Sequence, residues 1–164
     1  MSRGMIRVIC GDGHGKTAAA VGRAITSAEH EKSIIMIQFL KGNQVQDSAF
    51  LRRLEPEFKV FSFEKRPEAF DQLSEEEKKD EVANIQNGLN FAKKVMVTGE
   101  CDVLILDEVL GLLEYQIIGA DVLKTLLGAK NEEMELILTG RCFPADLYGC
   151  VDEISRINSE KLPD

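Results

Sequence analysis

Apolar, β-branched residues gather in short runs along the chain, and hydrophobic positions recur with helical spacing between them. The runs MIRVIC (5–10), SIIMIQFL (33–40), FKVFSF (58–63), DVLILDEV (102–109) and ELILTG (135–140) predict strands, and DEISRI (152–157) predicts one more. VLIL and LILT are apolar on both faces, the pattern of central strands in a parallel sheet covered on both sides. KTAAAVGRAITSAEH (16–30) predicts a helix. The longest helix is predicted over 74–98. Ser74 and Glu77 form a capping box at its start, and Val82, Ile85, Leu89, Ala92, Val95 and Met96 fall on one face. Gly99 is placed to end it. The charged run EEEKKDE (75–81) is expected to be the solvated first turns of that helix. Strands alternating with helices predict an α/β fold, a three-layer sandwich around a mostly parallel central sheet. There is no internal repeat, linker or low-complexity segment, so residues 1–164 are expected to form a single domain.

Composition narrows the setting. The chain has 164 residues, 44% hydrophobic and 29% charged, enough to bury a core of its own. Its net charge of −8, from 20 basic and 28 acidic residues, argues against nucleic-acid binding, which calls for a basic face. It leaves room for a local basic pocket that takes a small anion. No apolar run approaches the roughly 20 residues needed to span a bilayer. The short apolar run near the N-terminus leads into glycine-rich sequence rather than a cleavage site. A cytoplasmic protein with no membrane partner is therefore expected. Cys10, Cys101, Cys142 and Cys150 are scattered without a CxxC pair, which predicts reduced, buried or semi-buried thiols. His14 and His30 are the two histidines of the chain, too few for a histidine-rich metal centre.

The densest chemical signal is GDGHGKTAAAVGRA (11–24), between the first strand and the first helix. Glycines let successive backbone N–H groups converge on an anion, and the following helix adds its free amides and the positive end of its dipole. Lys16 supplies a mobile charge and Thr17 a hydroxyl for Mg²⁺. The usual pattern G-x-x-x-x-G-K-[ST] is met except at its first position, held by Cys10. About 90 residues later, VLILDEV ends a hydrophobic strand with Asp107 and Glu108, at the carboxyl end where α/β sheets bind ligands. Such carboxylates hold the Mg²⁺ of a nucleotide directly or through water. The loop and the carboxylates together predict ATP with Mg²⁺ on a P-loop NTPase-like (RecA-like) domain. They leave open which bond of ATP breaks. A triphosphate held this way can lose its γ-phosphoryl group, or leave whole when a nucleophile attacks the ribose carbon; both routes place charge on phosphate oxygens.

Four segments in order add a resemblance. GDGHGKTAAAVGRA is similar to the loop G-[NE]-G-K-G-K-T-T-A-A-x-G of the corrinoid adenosyltransferases of the cobalamin pathway. IQFLKG (37–42) resembles that family's V-Q-F-[IL]-K-G, and LILDEV its L-D-E-[ILV]. LTGR (138–141), followed by P-A-D-L and an apolar-D-E segment, resembles its L-T-G-R-x-x-P-x-x-L-x-x-x-A-D. The match runs over roughly residues 5–157 and is a close one to the short clostridial-type members, whose middle also carries an EEEK helix like 74–81. It implies transfer of the 5′-deoxyadenosyl group of ATP to the Co(I) of a reduced corrinoid, with release of triphosphate, by a homodimer. Gly11, Asp12, Gly13, Gly15, Lys16 and Thr17 would hold the phosphates. His14 and Ala18 fill the same cradle; His14 replaces a usual lysine with a pH-dependent charge, and Ala18 replaces a second threonine. Thr17, Asp107 and Glu108 would hold Mg²⁺. Lys16, Glu108 and Arg141 would serve catalysis, Arg141 as a second cation on the leaving triphosphate. Gln38 and Lys41 are candidates for the pocket wall, with Phe39 either there or in the core. The family's G-F-T-W segment has no clear counterpart after FKVFSF, where Phe63 and Phe70 are candidates, and its basic tail is not found after KLPD. The alternatives are a P-loop kinase or NTPase acting at phosphorus, and a non-catalytic ATP- or corrinoid-binding relative.

Overall fold

A computed structural model describes residues 3–27, 33–40, 49–64, 66 and 68–164. Six strands form one sheet: β1 (Ile6–Cys10), β2 (Ile34–Gln38), β3 (Phe58–Ser62), β4 (Val103–Asp107), β5 (Glu135–Thr139) and β6 (Glu153–Arg156). Their order is β3-β2-β4-β5-β1-β6, and every pairing is parallel. The strands apolar on both faces are the central ones. β4 is buried throughout, whereas β6, at the edge, is mostly exposed.

Side-chain alternation along these strands feeds two cores. Ile9, Ile34, Met36, Val103, Ile105 and Ile137 pack on one face with Ala20 and Ala24 of helix α1 (Lys16–Ser27). Leu51 of the short helix α2 (Ala49–Arg52) joins them. On the opposite face Ile35, Ile37, Leu104, Leu106, Leu136 and Leu138 pack against α3 (Glu75–Thr98), the short α4 (Gly111–Glu114) and α5 (Ala120–Gly128). The result is the three-layer sandwich expected of the pattern. The predicted end of α1 at residues 28–30, with His30, lies outside the described residues, as does Lys41.

α3 begins and ends where its sequence dictates. The Ser74 hydroxyl accepts from the Glu77 amide, Glu77 accepts in return from the Ser74 amide, and Gly99 closes the helix in the left-handed conformation. Ile85, Leu89, Ala92, Val95 and Met96 are buried, and Val82 is half-buried. One residue of the charged run departs from its expected solvation. Glu81 is 3% exposed, because it lies one turn before Ile85 on the same inward face. Its charge and the burial of Glu64, just past β3, raise the Glu64 carboxyl to about 7, burial being the larger cause. All four cysteines are free, with Cys10 and Cys101 buried and Cys150 half-buried; Cys142 is exposed, against expectation, since it sits in the loop after β5 rather than on a core-facing strand. No helix among the described residues is long and apolar enough to cross a membrane.

Candidate functional site

Strand register assembles the site before any loop does. Gln38 lies level with Ser62 on one side and Asp107 on the other. Leu106 pairs Leu138, which brings Asp107 level with Thr139, and Thr139 pairs Ile9 at the end of β1. A row of polar residues thus crosses the carboxyl edge of the sheet, where the central strands are otherwise apolar. Alternation turns Asp107, Thr139, Gln38 and Ser62 to the α1 face, where the N-terminus of α1 stands. There the Thr17 hydroxyl donates to both carboxylate oxygens of Asp107, at 2.9 and 3.1 Å.

Asp107 is fully buried. A buried carboxylate must be hydrogen-bonded, and this one also accepts from the Thr139 hydroxyl at 2.7 Å on Oδ1 and from Gln38 Nε2 at 3.3 Å on Oδ2. The Thr139 oxygen in turn accepts the Glu108 amide at 2.9 Å. Thr139 spans the gap that β5 opens between the loop strand β1 and the carboxylate strand β4. Glu108 itself adopts the left-handed backbone region, φ 60°, as does Leu40, φ 58°. Two non-glycine residues in that uncommon conformation flank the site, a pattern typical of functional centres.

Above this row lies a cavity of about 440 Å³ lined by Asp12, Lys16, Leu40, Glu108, Gly111, Glu114, Tyr115 and Arg141. The Lys16 ammonium donates to the carbonyls of Gly11 and Gly13, at 2.8 and 2.9 Å, and so is folded over the loop. Arg141 reaches across from the segment after β5: its Nε donates to Asp12 Oδ1 at 2.9 Å, and its guanidinium lies 3.7 Å from Glu114. The hydrogen bond to Asp12, with the Asp12 and Glu114 charges, raises the Arg141 pKa further and holds it cationic. Tyr115 is held protonated above the usual phenol range, first by burial and then by nearby carboxylates including Asp71, Glu114 and Glu108. Its ring packs on Phe70, centroids 5.6 Å apart. The cavity is therefore mixed in charge: Lys16 and Arg141 stand among the carboxylates of Asp12, Glu108 and Glu114, with the Tyr115 ring at its side.

The model for the ATP:corrinoid adenosyltransferase family, BtuR/CobO/CobP, matches residues 2–163. The chain belongs to that family. It is 27% identical over 159 residues to a corrinoid adenosyltransferase of Escherichia coli K12, covering 97% of this chain and 79% of that one. It is 28% identical over 165 residues to the corrinoid adenosyltransferase CobA of Salmonella typhimurium, with the same coverage. A corrinoid adenosyltransferase of Pseudomonas aeruginosa is 22% identical over 160 residues, 97% of this chain and 77% of that one.

Within this family member, the loop residues Gly11–Thr17, Asp107, Glu108 and Arg141 converge on one edge of the sheet. Ala18 is exposed in the first turn of α1, and the His14 ring is exposed. Gln38 is not at the cavity wall: it is fully buried and reaches the site through Asp107. Phe39 is core, fully buried beside Gly88 of α3. Phe63 packs on Phe91 and Gly88 and is bound into the same layer, whereas Phe70 borders the cavity through Tyr115. Sequence reasoning missed Thr139, Glu114 and Tyr115. Thr139 had a signal, a lone polar residue closing an apolar strand in LTGR; Glu114 and Tyr115 had none without α4 to place them.

Proposed function

We propose that the chain transfers the 5′-deoxyadenosyl group of ATP to the Co(I) of a reduced corrinoid. What carries this reading is a cavity lined by Lys16 of the loop, Glu108 and Arg141, with the Thr17–Asp107 pair at the same sheet edge, in a member of the corrinoid adenosyltransferase family. The Co(I) electron pair attacks C5′, the C5′–O5′ bond breaks, and triphosphate leaves with that bond's electrons while cobalt is formally oxidised to Co(III). No proton need move. The protein's task is to hold a polyanion still and absorb the charge that builds on its leaving oxygen.

The opening amides of α1 and the Lys16 ammonium take the phosphates, the lysine exchanging the Gly11 and Gly13 carbonyls for phosphate oxygens. Arg141, tethered by Asp12 beside the loop, supplies a second, planar cation to the departing triphosphate. The donor set fits Mg²⁺: a hydroxyl and a carboxylate already in contact, with Glu108 adjacent, are hard oxygen ligands. Among the described residues no three acidic, histidine or cysteine side chains form a metal cage, and phosphate oxygens and water would complete the shell of an ion that usually keeps several waters. When bound, Mg²⁺ neutralises phosphate charge; Thr17, Asp107 and Glu108 would hold it. Tyr115 and Phe70 offer an apolar side to the nucleoside or the corrin. A homodimer is the assembly the family resemblance supports, and light scattering of the purified protein tests the stoichiometry; a cytoplasmic setting is what the scattered, unpaired cysteines support.

The test is anaerobic incubation with ATP, Mg²⁺ and a chemically reduced corrinoid. An alkylcobalt spectrum appearing with stoichiometric triphosphate supports the transferase. ADP or orthophosphate would indicate attack at phosphorus, and ATP uptake without turnover a binding protein.

A further inference from the structure

The segment that follows β6 makes three hydrogen bonds to the end of β1 and the glycine loop after it, and only one uses a side chain. Ile157 N–H donates to the Cys10 carbonyl at 2.8 Å, and Gly13 N–H donates to the Ile157 carbonyl at 2.9 Å. His14 N–H donates to the Ser159 hydroxyl at 2.9 Å. The segment is anchored from two directions. β6 pairs β1 up to Cys10 and Arg156, and the Ile157 side chain packs against the α1-side core. The contact is close enough to dictate sequence. A Cβ on Gly11 would stand 2.3 Å from the Ile157 carbonyl oxygen, and one on Gly13 would stand 2.7 Å from that oxygen and 2.8 Å from the Ser159 nitrogen. By contrast, nothing lies within 4 Å of a Cβ built on Gly15. Residues 157–159 thus leave no room for a side chain at Gly11 or Gly13, and of the three loop glycines only Gly15 faces open space.

We propose that Ile157–Ser159 is a positioning strap for the phosphate loop, and that Ser159 is its positioning residue, acting through the His14 amide. Three glycines in five residues make a loop with much conformational freedom to lose. Binding is tighter when that freedom is removed beforehand. The strap removes it and turns the Gly13 and His14 amides toward the protein, which leaves the anion to the opening amides of α1 and to Lys16. The strap rests on the reading of the loop as an ATP phosphate site.

The experiment is calorimetric titration of ATP with Mg²⁺ into the wild-type protein, Ser159→Ala and Ser159→Thr, with the melting temperature of each unliganded protein. Ser159 is exposed, so both variants are expected to fold and to melt no more than about 4 °C below wild type, the cost of one neutral hydrogen bond in a chain of this size. Loss of the one neutral hydrogen bond is expected to weaken ATP binding about fivefold in Ser159→Ala, and the hydroxyl of Ser159→Thr to restore it. ATP affinity in Ser159→Ala equal to or tighter than wild type would overturn the proposal, as would a Ser159→Thr variant as weak as Ser159→Ala. Absence of ATP binding by the wild-type protein would instead overturn the phosphate reading itself.

Discussion

Replacing Thr139 with valine keeps the shape of a fully buried side chain and deletes one oxygen. That oxygen holds two partners, the Asp107 carboxylate at 2.7 Å and the Glu108 amide at 2.9 Å. A hydrogen bond to a charged group contributes about 1.5–3 kcal/mol, and a buried amide left without an acceptor costs about 1–3 kcal/mol. Asp107 keeps Thr17 and Gln38 as donors, so the lower part of the combined range applies, about 3 kcal/mol. Against a total stability of about 5–15 kcal/mol this is large. At about 2–4 °C per kcal/mol for a chain of this size, the melting temperature of Thr139→Val is expected to fall by about 6–12 °C. Thr139→Ser retains the oxygen and deletes a methyl group worth about 1 kcal/mol, so it is expected to lose about a third as much. Calorimetric melting of the three proteins side by side is the assay. A loss under about 2 °C for Thr139→Val, or equal losses for valine and serine, would refute the claim that this hydroxyl ties the carboxylate strand to its neighbours.

Lys16→Ala removes the ammonium that sits on the loop; loss of a charge-assisted contact of about 1.5–3 kcal/mol is expected to weaken ATP binding at least tenfold, and near-normal affinity by calorimetry would contradict the phosphate loop. Asp107→Ala and Glu108→Ala are expected to shrink the Mg²⁺-dependent part of the ATP-induced thermal shift, and an undiminished shift in both single variants and in the double variant would sink the metal assignment. The Glu64 carboxyl, raised to about 7 in the folded chain against 4.5 when exposed, binds a proton more tightly folded than unfolded. Its contribution to stability is therefore full below pH 4.5 and lost as pH rises through 7. Between pH 5 and 8 the wild-type melting temperature is expected to decline more steeply than that of Glu64→Gln; parallel profiles would show that Glu64 is not the group responsible.

The layers and the loop were legible because each rests on a local rule. β4 and β5 carry apolar residues at consecutive positions, which a sheet covered on both faces requires, and α3 announces itself through Ser74, Glu77 and Gly99. The place of the loop was legible because a glycine-rich stretch ending in Gly-Lys-Thr between an apolar run and a helical pattern marks the passage from a strand to a helix, here from β1 to α1. What was hidden depends on register and on distant partners. Glu81 looked solvated because its run is charged, yet helical geometry turns it inward with Ile85. Gln38 and Thr139 matter only once parallel pairing sets them level with Asp107. The need for glycine at positions 11 and 13 is legible only when Ile157, some 145 residues further on, is seen lying against them. Cys142 looked like any other scattered thiol until the end of β5 placed it in an exposed loop.

The claim that matters most is which bond of ATP is broken. ATP carrying ¹³C at C5′, incubated anaerobically with the protein, Mg²⁺ and a Co(I) corrinoid, answers it by mass spectrometry of the separated products. Adenosyl transfer places the label in the corrinoid, one deoxyadenosyl group per cobalt, and leaves an unlabelled triphosphate. Label that stays in ADP or AMP while the corrinoid mass is unchanged would contradict the account, because the same loop, carboxylates and arginine would then be acting at phosphorus.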